Sequence, residues 1–274
     1  MSINNEGSER EGFDPLSRLV YPASRAMKMK SLFWVLFLFL IAGCGADVLS
    51  KKDRQRVDQI LAHWESWVPA RQKNGTAPLL TFQELYQGLE AGQIQFLDKI
   101  RFMEKGGIFP EPGIPLKKIE GQKILKKGKL EEIGAQYLPP AVFDAYEKMM
   151  AAMKLELGKR LYVDSGYRSP AYQLYTFLFY LPKHHYSLKE GRQWVALPGH
   201  SEHGNPGRQA IDFINEEGEN GDDAAELFEA LPEYAWLKKN ASKFGFELSY
   251  PRGTKGTVFE PWHWRHVPSK EIHD

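Results

Sequence analysis

Ser201-Glu202-His203-Gly204-Asn205-Pro206-Gly207-Arg208-Gln209-Ala210-Ile211-Asp212 is the stretch that decides the reading of this chain, together with Glu260-Pro261-Trp262-His263-Trp264-Arg265 further on. Two histidines and an aspartate form a ligand set for zinc that leaves one coordination position open. Glu260, a glutamate that is not a ligand, stands beside the last histidine. An open position with a carboxylate nearby is how a zinc hydrolase makes a nucleophile from water. His203, Asp212 and His263 are therefore the candidate ligands, and Glu260 is the candidate general base. In a regular strand Glu260 and His263 would face opposite sides. Pro261 cannot donate to a ladder, which predicts a local irregularity that lets both reach one ion.

Upstream lies Asp164-Ser165-Gly166-Tyr167-Arg168-Ser169, with Gln173 after it. In this order the three motifs resemble the M15 metallopeptidase family, of the VanY-like D-alanyl-D-alanine carboxypeptidase type. That family's patterns read S-G-Y-R-S, S-x-H-x-x-G-x-A-x-D and E-x-W-H-x-R. The second pattern is longer here by two residues, one before Gly207 and one after it. Residues 204–207 have a turn-forming composition, so a loop is expected to absorb the extra length. A strand over 209–214 would then carry Asp212 inward. The resemblance runs from residue 136 to 267 and takes in Trp236-Leu237 and Phe244-Gly245-Phe246.

The resemblance implies an α+β fold of the hedgehog/D-Ala-D-Ala peptidase type, a small, mainly antiparallel sheet with flanking helices. It also implies Zn2+ as cofactor and peptidoglycan peptides as substrate, with a C-terminal D-alanine released. Arg168 would contact substrate, either at the developing oxyanion or at a terminal carboxylate. Ser201 and Gln173 would serve the same end of the substrate, and Trp262 would wall the cleft. The same chemistry could serve an L,D-carboxypeptidase or an endopeptidase. A non-catalytic, zinc-stabilised cell-wall binding lipoprotein is the alternative from another class, and the intact Glu260 and Arg168 argue against it.

The chain has 274 residues, with 36 basic and 35 acidic side chains and a formal net charge of +1. That balance leaves no electrostatic footprint for nucleic acid. No G-x-S-x-G elbow points to a serine mechanism. The one cysteine, Cys44, excludes an intrachain disulfide. Lys28 and Lys30 precede an apolar run over 32–42, then Gly43-Cys44. That run is too short to span a bilayer comfortably and reads as an export signal. Ile41-Ala42-Gly43-Cys44 resembles a bacterial lipobox, so residues 27–44 are expected to be a lipoprotein signal and Cys44 the lipidation site. The implied location is exported and membrane-anchored, on the periplasmic or extracellular face. Residues 1–26 are polar and aperiodic and read as a mis-assigned start or a disordered segment.

Residues 45–135 read as a helical and irregular extension, a spacer or cap for the metallopeptidase domain over 136–274. Helical spacing covers 51–67. Thr81 and Glu84 make a capping-box pattern opening a helical stretch towards residue 100. Residues 106–129, rich in Gly, Pro and Lys, read as an irregular connection. A helix is expected from Pro140 to a C-cap at Gly158, another over 170–180, and one or two over 222–244. Strands are expected over 160–163, 209–214, 246–250 and 258–267. His184 and His185 have no partner motif and are set aside as ligands, and His200, three residues before His203, could ligate only if the longer loop shifted the register.

Overall fold

The computed structural model describes residues 47–110, 113–221, 224–254 and 258–267. Cys44 and the expected signal segment lie outside them, as do residues 1–26. The N-terminal part is helical. In α1 (Lys51–Glu65) Ser50 caps the first turn through its hydroxyl, and Val57, Ile60 and Trp64 recur at helical spacing on the buried face. After α2 (Val68–Lys73) the chain forms α3 (Phe82–Tyr86) and α4 (Ala91–Arg101). These replace the single helical stretch expected over 81–100. Thr81 and Glu84 do form a capping box, but Gly88 adopts a left-handed φ of 78° and ends the run.

Residues 106–129 are more ordered than their composition suggested. They hold β1 (Lys117–Ile119) and β2 (Lys123–Lys126), followed by β3 (Lys129–Glu132) and β4 (Gln136–Leu138). β1 pairs with β4 and β2 with β3, both antiparallel. Lys127 and Gly128 join β2 to β3 with φ of 48° and 76°. Two positive φ values in a two-residue loop match the twist of the flanking strands.

Pro140 opens α5 (Pro140–Leu157), and Gly158 ends it in a left-handed conformation. Then come β5 (Leu161–Ser165), α6 (Pro170–Tyr180), α7 (Leu188–Trp194), β6 (Ala210–Asn215), α8 (Ala225–Glu229), α9 (Pro232–Asn240), β7 (Phe246–Leu248) and β8 (His263–His266). The main sheet has the order β5-β6-β8-β7 and is antiparallel throughout. The fold is α+β, as expected. The last strand is shorter than its expected 258–267, because residues 261 and 262 form a turn ahead of it.

Alternation along the strands gives the sheet two faces with different tasks. Ile211, Phe213 and Trp264 point into a core with Val142, Tyr146, Met149 and Met153 of α5 and Trp236 and Leu237 of α9. The residues between them, Asp212 and His263, belong to the other face. A second core joins Val57, Ile60, Trp64, Leu85 and Leu97 of the N-terminal helices to Leu174, Tyr175, Phe177 and Leu178 of α6. The extension and α6 therefore share one apolar interior. Among the described residues, no helix is long and apolar enough to cross a membrane.

Candidate metal centre

Asp212 and His263 sit directly opposite each other on β6 and β8. Residues in register on adjacent strands project their side chains to the same side, so a carboxylate and an imidazole meet there. Asp212 Oδ1 lies 2.8 Å from His263 Nδ1. His203 comes from outside the sheet, on a single 3-10 turn over Glu202–Gly204. Its Nδ1 donates to the carbonyl of Gly166 at 2.8 Å. That bond fixes the tautomer and leaves Nε2 facing Asp212 Oδ2 at 3.1 Å. Among the described residues, His203, Asp212 and His263 are the one group of three such side chains whose donor atoms converge, all within 4.8 Å of one another.

Close backbone approaches hold this geometry. A Cβ on Gly166 would lie 2.4 Å from the carbonyl oxygen of Tyr137, and one on Gly204 would lie 2.8 Å from that of Arg168. Both positions need glycine for lack of space. The Arg168 N–H donates to the carbonyl of His203 at 3.0 Å, which ties the arginine motif to the histidine turn. The residues that lengthen the loop before β6 form a turn. The Arg208 N–H reaches the Asn205 carbonyl at 3.0 Å, and the Gly207 N–H reaches Asn205 Oδ1 at 3.0 Å. β6 then begins at Ala210.

Glu260 enters from the irregular segment ahead of β8. The His263 N–H donates to the Glu260 carbonyl at 3.2 Å, closing a turn at Pro261. The turn swings Glu260 Oε2 to 3.8 Å from His263 Nδ1. Burial pushes the Glu260 carboxyl up to about 7, aided by the negative charge of Asp212 and opposed by His263. Burial also favours a neutral His263, but Asp212 and Glu202 outweigh it and hold the ring up to about 10. His203 goes the other way, because burial outweighs Asp212 and lowers it. Burial would raise Asp212, yet the two imidazoles keep it well below the usual carboxylate range.

Glu202 escaped the sequence reading. Its Oε2 accepts from His263 Nε2 at 3.2 Å and from Ser249 Oγ at 2.5 Å, and its Oε1 accepts from Arg265 Nη1 at 3.1 Å. Burial pushes this carboxyl upward, but those donors prevail and hold it down to about 2. Its position beside His203 was the available signal, and nothing in the sequence linked it to His263. Tyr250 was also missed. Its ring centroid lies 4.9 Å from that of His263.

Other expected site residues take different places. The Arg168 guanidinium donates to Gln173 Oε1 at 3.0 Å and to Ser165 Oγ at 3.2 Å. Gln173 is buried, and its amide also donates to the Ala196 carbonyl at 2.7 Å. This places Gln173 behind Arg168 as a brace, where direct substrate contact had been expected. Ser201 caps the histidine turn, its Oγ accepting from the His203 N–H at 3.3 Å. Trp262 belongs to the core below the sheet instead of walling a cleft. A Cβ on Gly221 would lie 2.2 Å from its ring, so its indole is closely packed. His184 stacks on Trp194, and His200 lies beside Gly107, outside the cluster.

Two nitrogens from buried imidazoles and one oxygen from a half-buried carboxylate, with both outer ring nitrogens hydrogen-bonded, fit a zinc ion with an open position. The family model of VanY, D-alanyl-D-alanine carboxypeptidase, matches residues 135–269. The putative carboxypeptidase YodJ of Bacillus subtilis (strain 168) is 34% identical over 146 residues, 51% of this chain and 50% of that protein. The chain thus spans about half the length of this curated relative. The solved LdcB LD-carboxypeptidase is 32% identical, with 49% of this chain and 61% of that chain covered and a TM-score of 0.43. A solved VanYB in complex with D-alanine-D-alanine is 26% identical, with 48% and 73% covered and a TM-score of 0.38. Over residues 135–269, just under half of its length, the chain is similar to the VanY family of D-alanyl-D-alanine carboxypeptidases.

Proposed function

We propose that this chain is a zinc-dependent carboxypeptidase that removes C-terminal D-alanine from peptidoglycan stem peptides. The observation that carries the reading is the convergence of His203, Asp212 and His263 with Glu260 Oε2 only 3.8 Å from His263. Zinc, when bound, supplies Lewis-acid chemistry, acidifying water and polarising a scissile carbonyl. Glu260 takes the proton from the attacking water at its carboxylate and returns it to the leaving amine. Arg168, held by Gln173 and Ser165, keeps N–H groups free for a developing oxyanion or a terminal carboxylate. Glu202 holds the imidazole of His263 by its outer nitrogen. The domain limits, 136–274 for the peptidase and 45–135 for the extension, belong to the same proposal. So does an exported lipoprotein anchored at Cys44, supported by the basic, apolar and small-residue order of residues 28–44.

The test is incubation of the protein with defined pentapeptide and tetrapeptide muropeptides, with and without a chelator, followed by product masses. Chelator-sensitive loss of one alanine from the pentapeptide is the expected result. Loss from the tetrapeptide alone would replace D,D with L,D specificity, and internal fragments would make the protein an endopeptidase. No product from zinc-loaded protein would overturn the enzymatic reading.

A further inference from the structure

The loop over residues 196–201 serves two parts of the candidate site at once. At its start the Ala196 carbonyl accepts from the Gln173 amide at 2.7 Å, and Gln173 Oε1 accepts in turn from Arg168. At its end Ser201 caps the turn that carries His203. Between these points the chain bends at Gly199, whose φ is 80°. The His200 N–H closes that bend on the Leu197 carbonyl at 3.0 Å.

A segment of the N-terminal extension lies across the bend. The Ile108 N–H donates to the Gly199 carbonyl at 2.8 Å. A Cβ on Gly199 would lie 2.9 Å from the Phe109 ring, and one on Gly107 would lie 3.2 Å from Nε2 of His200. An ion pair between Glu104 and Arg192 of α7 fastens the same segment a few residues earlier. Phe109 is itself held in place. Its ring centroid lies 6.1 Å from that of Phe82 and 5.8 Å from that of Phe102, and the Arg101 guanidinium lies 5.1 Å from it. Tilted ring pairs and a cation over a ring are favourable arrangements that orient the side chain. Residues 104–109 lie before residue 135, where the match to the family model begins.

Glycine brings the most backbone freedom to a bend, so contacts from outside must fix its direction. Here those contacts come from Ile108 and Phe109. We propose that residues 104–109 form a strap that positions the 196–201 loop, with Phe109 as its positioning residue. By pinning Gly199 the strap sets the direction in which the chain enters the His203 turn. It also sets the seat of Gln173 behind Arg168. Misplacing a positioned group by about 1 Å can cost up to about 100-fold in rate, so a loop that carries both groups needs such a clamp. The role differs from that of Trp64, which fills a core. Phe109 is half-buried, and its effect runs through the geometry of one loop. The inference rests on the metallopeptidase reading proposed above.

The test loads the full chain with Co2+, whose visible absorption reports ligand geometry, and measures stem-peptide hydrolysis beside it. Phe109→Ala should keep one cobalt per chain and a cooperative thermal transition. It should nevertheless shift the cobalt absorption and lower kcat/KM by up to about 100-fold. Phe109→Leu keeps an apolar side chain without the ring edge against Gly199. It should show the same changes to a smaller degree, and it serves if the alanine variant does not fold. Gly199→Ala adds a methyl against the ring, while the strain of its φ is present with or without that ring. Its loss in kcat/KM should therefore be smaller in the Phe109→Ala background than in the wild type. A wild-type spectrum and kcat/KM in the folded Phe109 variants, whatever their melting temperature, would overturn the proposal. Equal losses from Gly199→Ala in both backgrounds would also overturn it. A wild-type chain that takes up no cobalt would remove the metal reading and this inference with it. If the chain binds cobalt but cleaves no stem peptide, the peptidase reading fails and the spectral comparison still decides the strap.

Discussion

Glu202 Oε2 lies 3.2 Å from Nε2 of His263, on the edge of the imidazole opposite Asp212, which sits 2.8 Å from Nδ1. One ring is thus held between two carboxylates, one able to share a metal and one able only to orient the ring. Outer partners of this kind set ring direction and ligand basicity, and their loss costs roughly 10- to 100-fold in metal affinity or activity. Glu202→Ala should weaken zinc binding by that order, and Glu202→Gln should weaken it less, because an amide oxygen still accepts from Nε2. Competition with a chromophoric chelator measures both. Unchanged affinity in the alanine variant would remove Glu202 from the site.

Glu260 separates binding from turnover. It lies outside the donor set, and its carboxylate stands 3.8 Å from His263 Nδ1. Glu260→Gln should keep metal stoichiometry at the wild-type value and lower kcat by roughly 10²- to 10⁴-fold, the usual worth of a positioned base. His263→Ala should lose metal and activity together. A fully active Glu260→Gln enzyme would sink the proposed role.

The pH dependence has a definite sign. Glu260 must be ionised to accept a proton, and burial raises its pKa to about 7. A raised carboxyl pKa means that activity is lost as pH falls through that value. A bound cation lowers it, so the acid limb of kcat/KM for the loaded enzyme should lie at or below pH 7 and above the ordinary carboxylate range. Glu260→Gln should flatten that limb in whatever activity remains. A limb that persists unchanged would belong to another group.

His263 gives a second, independent proton measurement. Although burial disfavours its charge, Asp212 and Glu202 hold its pKa up to about 10, so the metal-free ring is protonated at pH 7.5. A metal ligand must be neutral, so zinc uptake at that pH should expel about one proton. Titration calorimetry in buffers of different ionisation enthalpy reads this as a slope. A slope of zero would mean that the ring is already neutral and that the two carboxylates do not charge it.

The metal centre was legible in the sequence because its parts are short local patterns, each carried by one element. Asp212 sits within a strand, His263 opens one, and Pro261 announces the turn that brings Glu260 round. What stayed hidden depends on contacts between distant segments. Gln173 looked like a substrate residue, and only the fold reveals that its amide is shared between Arg168 and Ala196. Trp262 next to a ligand suggested a cleft wall, yet the turn ahead of β8 sends its ring into the core. The β2–β3 hairpin was concealed by composition, since a Lys-Gly tip and lysine-rich strands resemble a solvated loop. The break between α3 and α4 rests on Gly88, where a Cβ would meet the ring of His63 at 2.9 Å, a contact invisible to helical periodicity.

The same limit applies to residues 45–135, which read as a spacer or cap for the metallopeptidase domain. Trp64 of α1 is fully buried, donates from its indole to the Leu85 carbonyl at 2.8 Å, and packs against Tyr175 of α6 with ring centroids 5.8 Å apart. Ser169, the N-cap of α6, donates to the Leu80 carbonyl at 2.6 Å and also accepts from the Tyr172 N–H. The residues just before that helix include Arg168, whose backbone holds the turn bearing His203. Removing the extension would strip the apolar face of α6 and free the segment that carries Arg168. Trp64→Ala should therefore cost about 3–5 kcal/mol, the usual loss for a large buried side chain. It should also lower the midpoint of one cooperative unfolding transition that includes the metal site. Denaturant titration followed by helical signal and by zinc release would then give coincident curves. Two separated transitions, with zinc retained through the first, would restore the extension to an independent spacer.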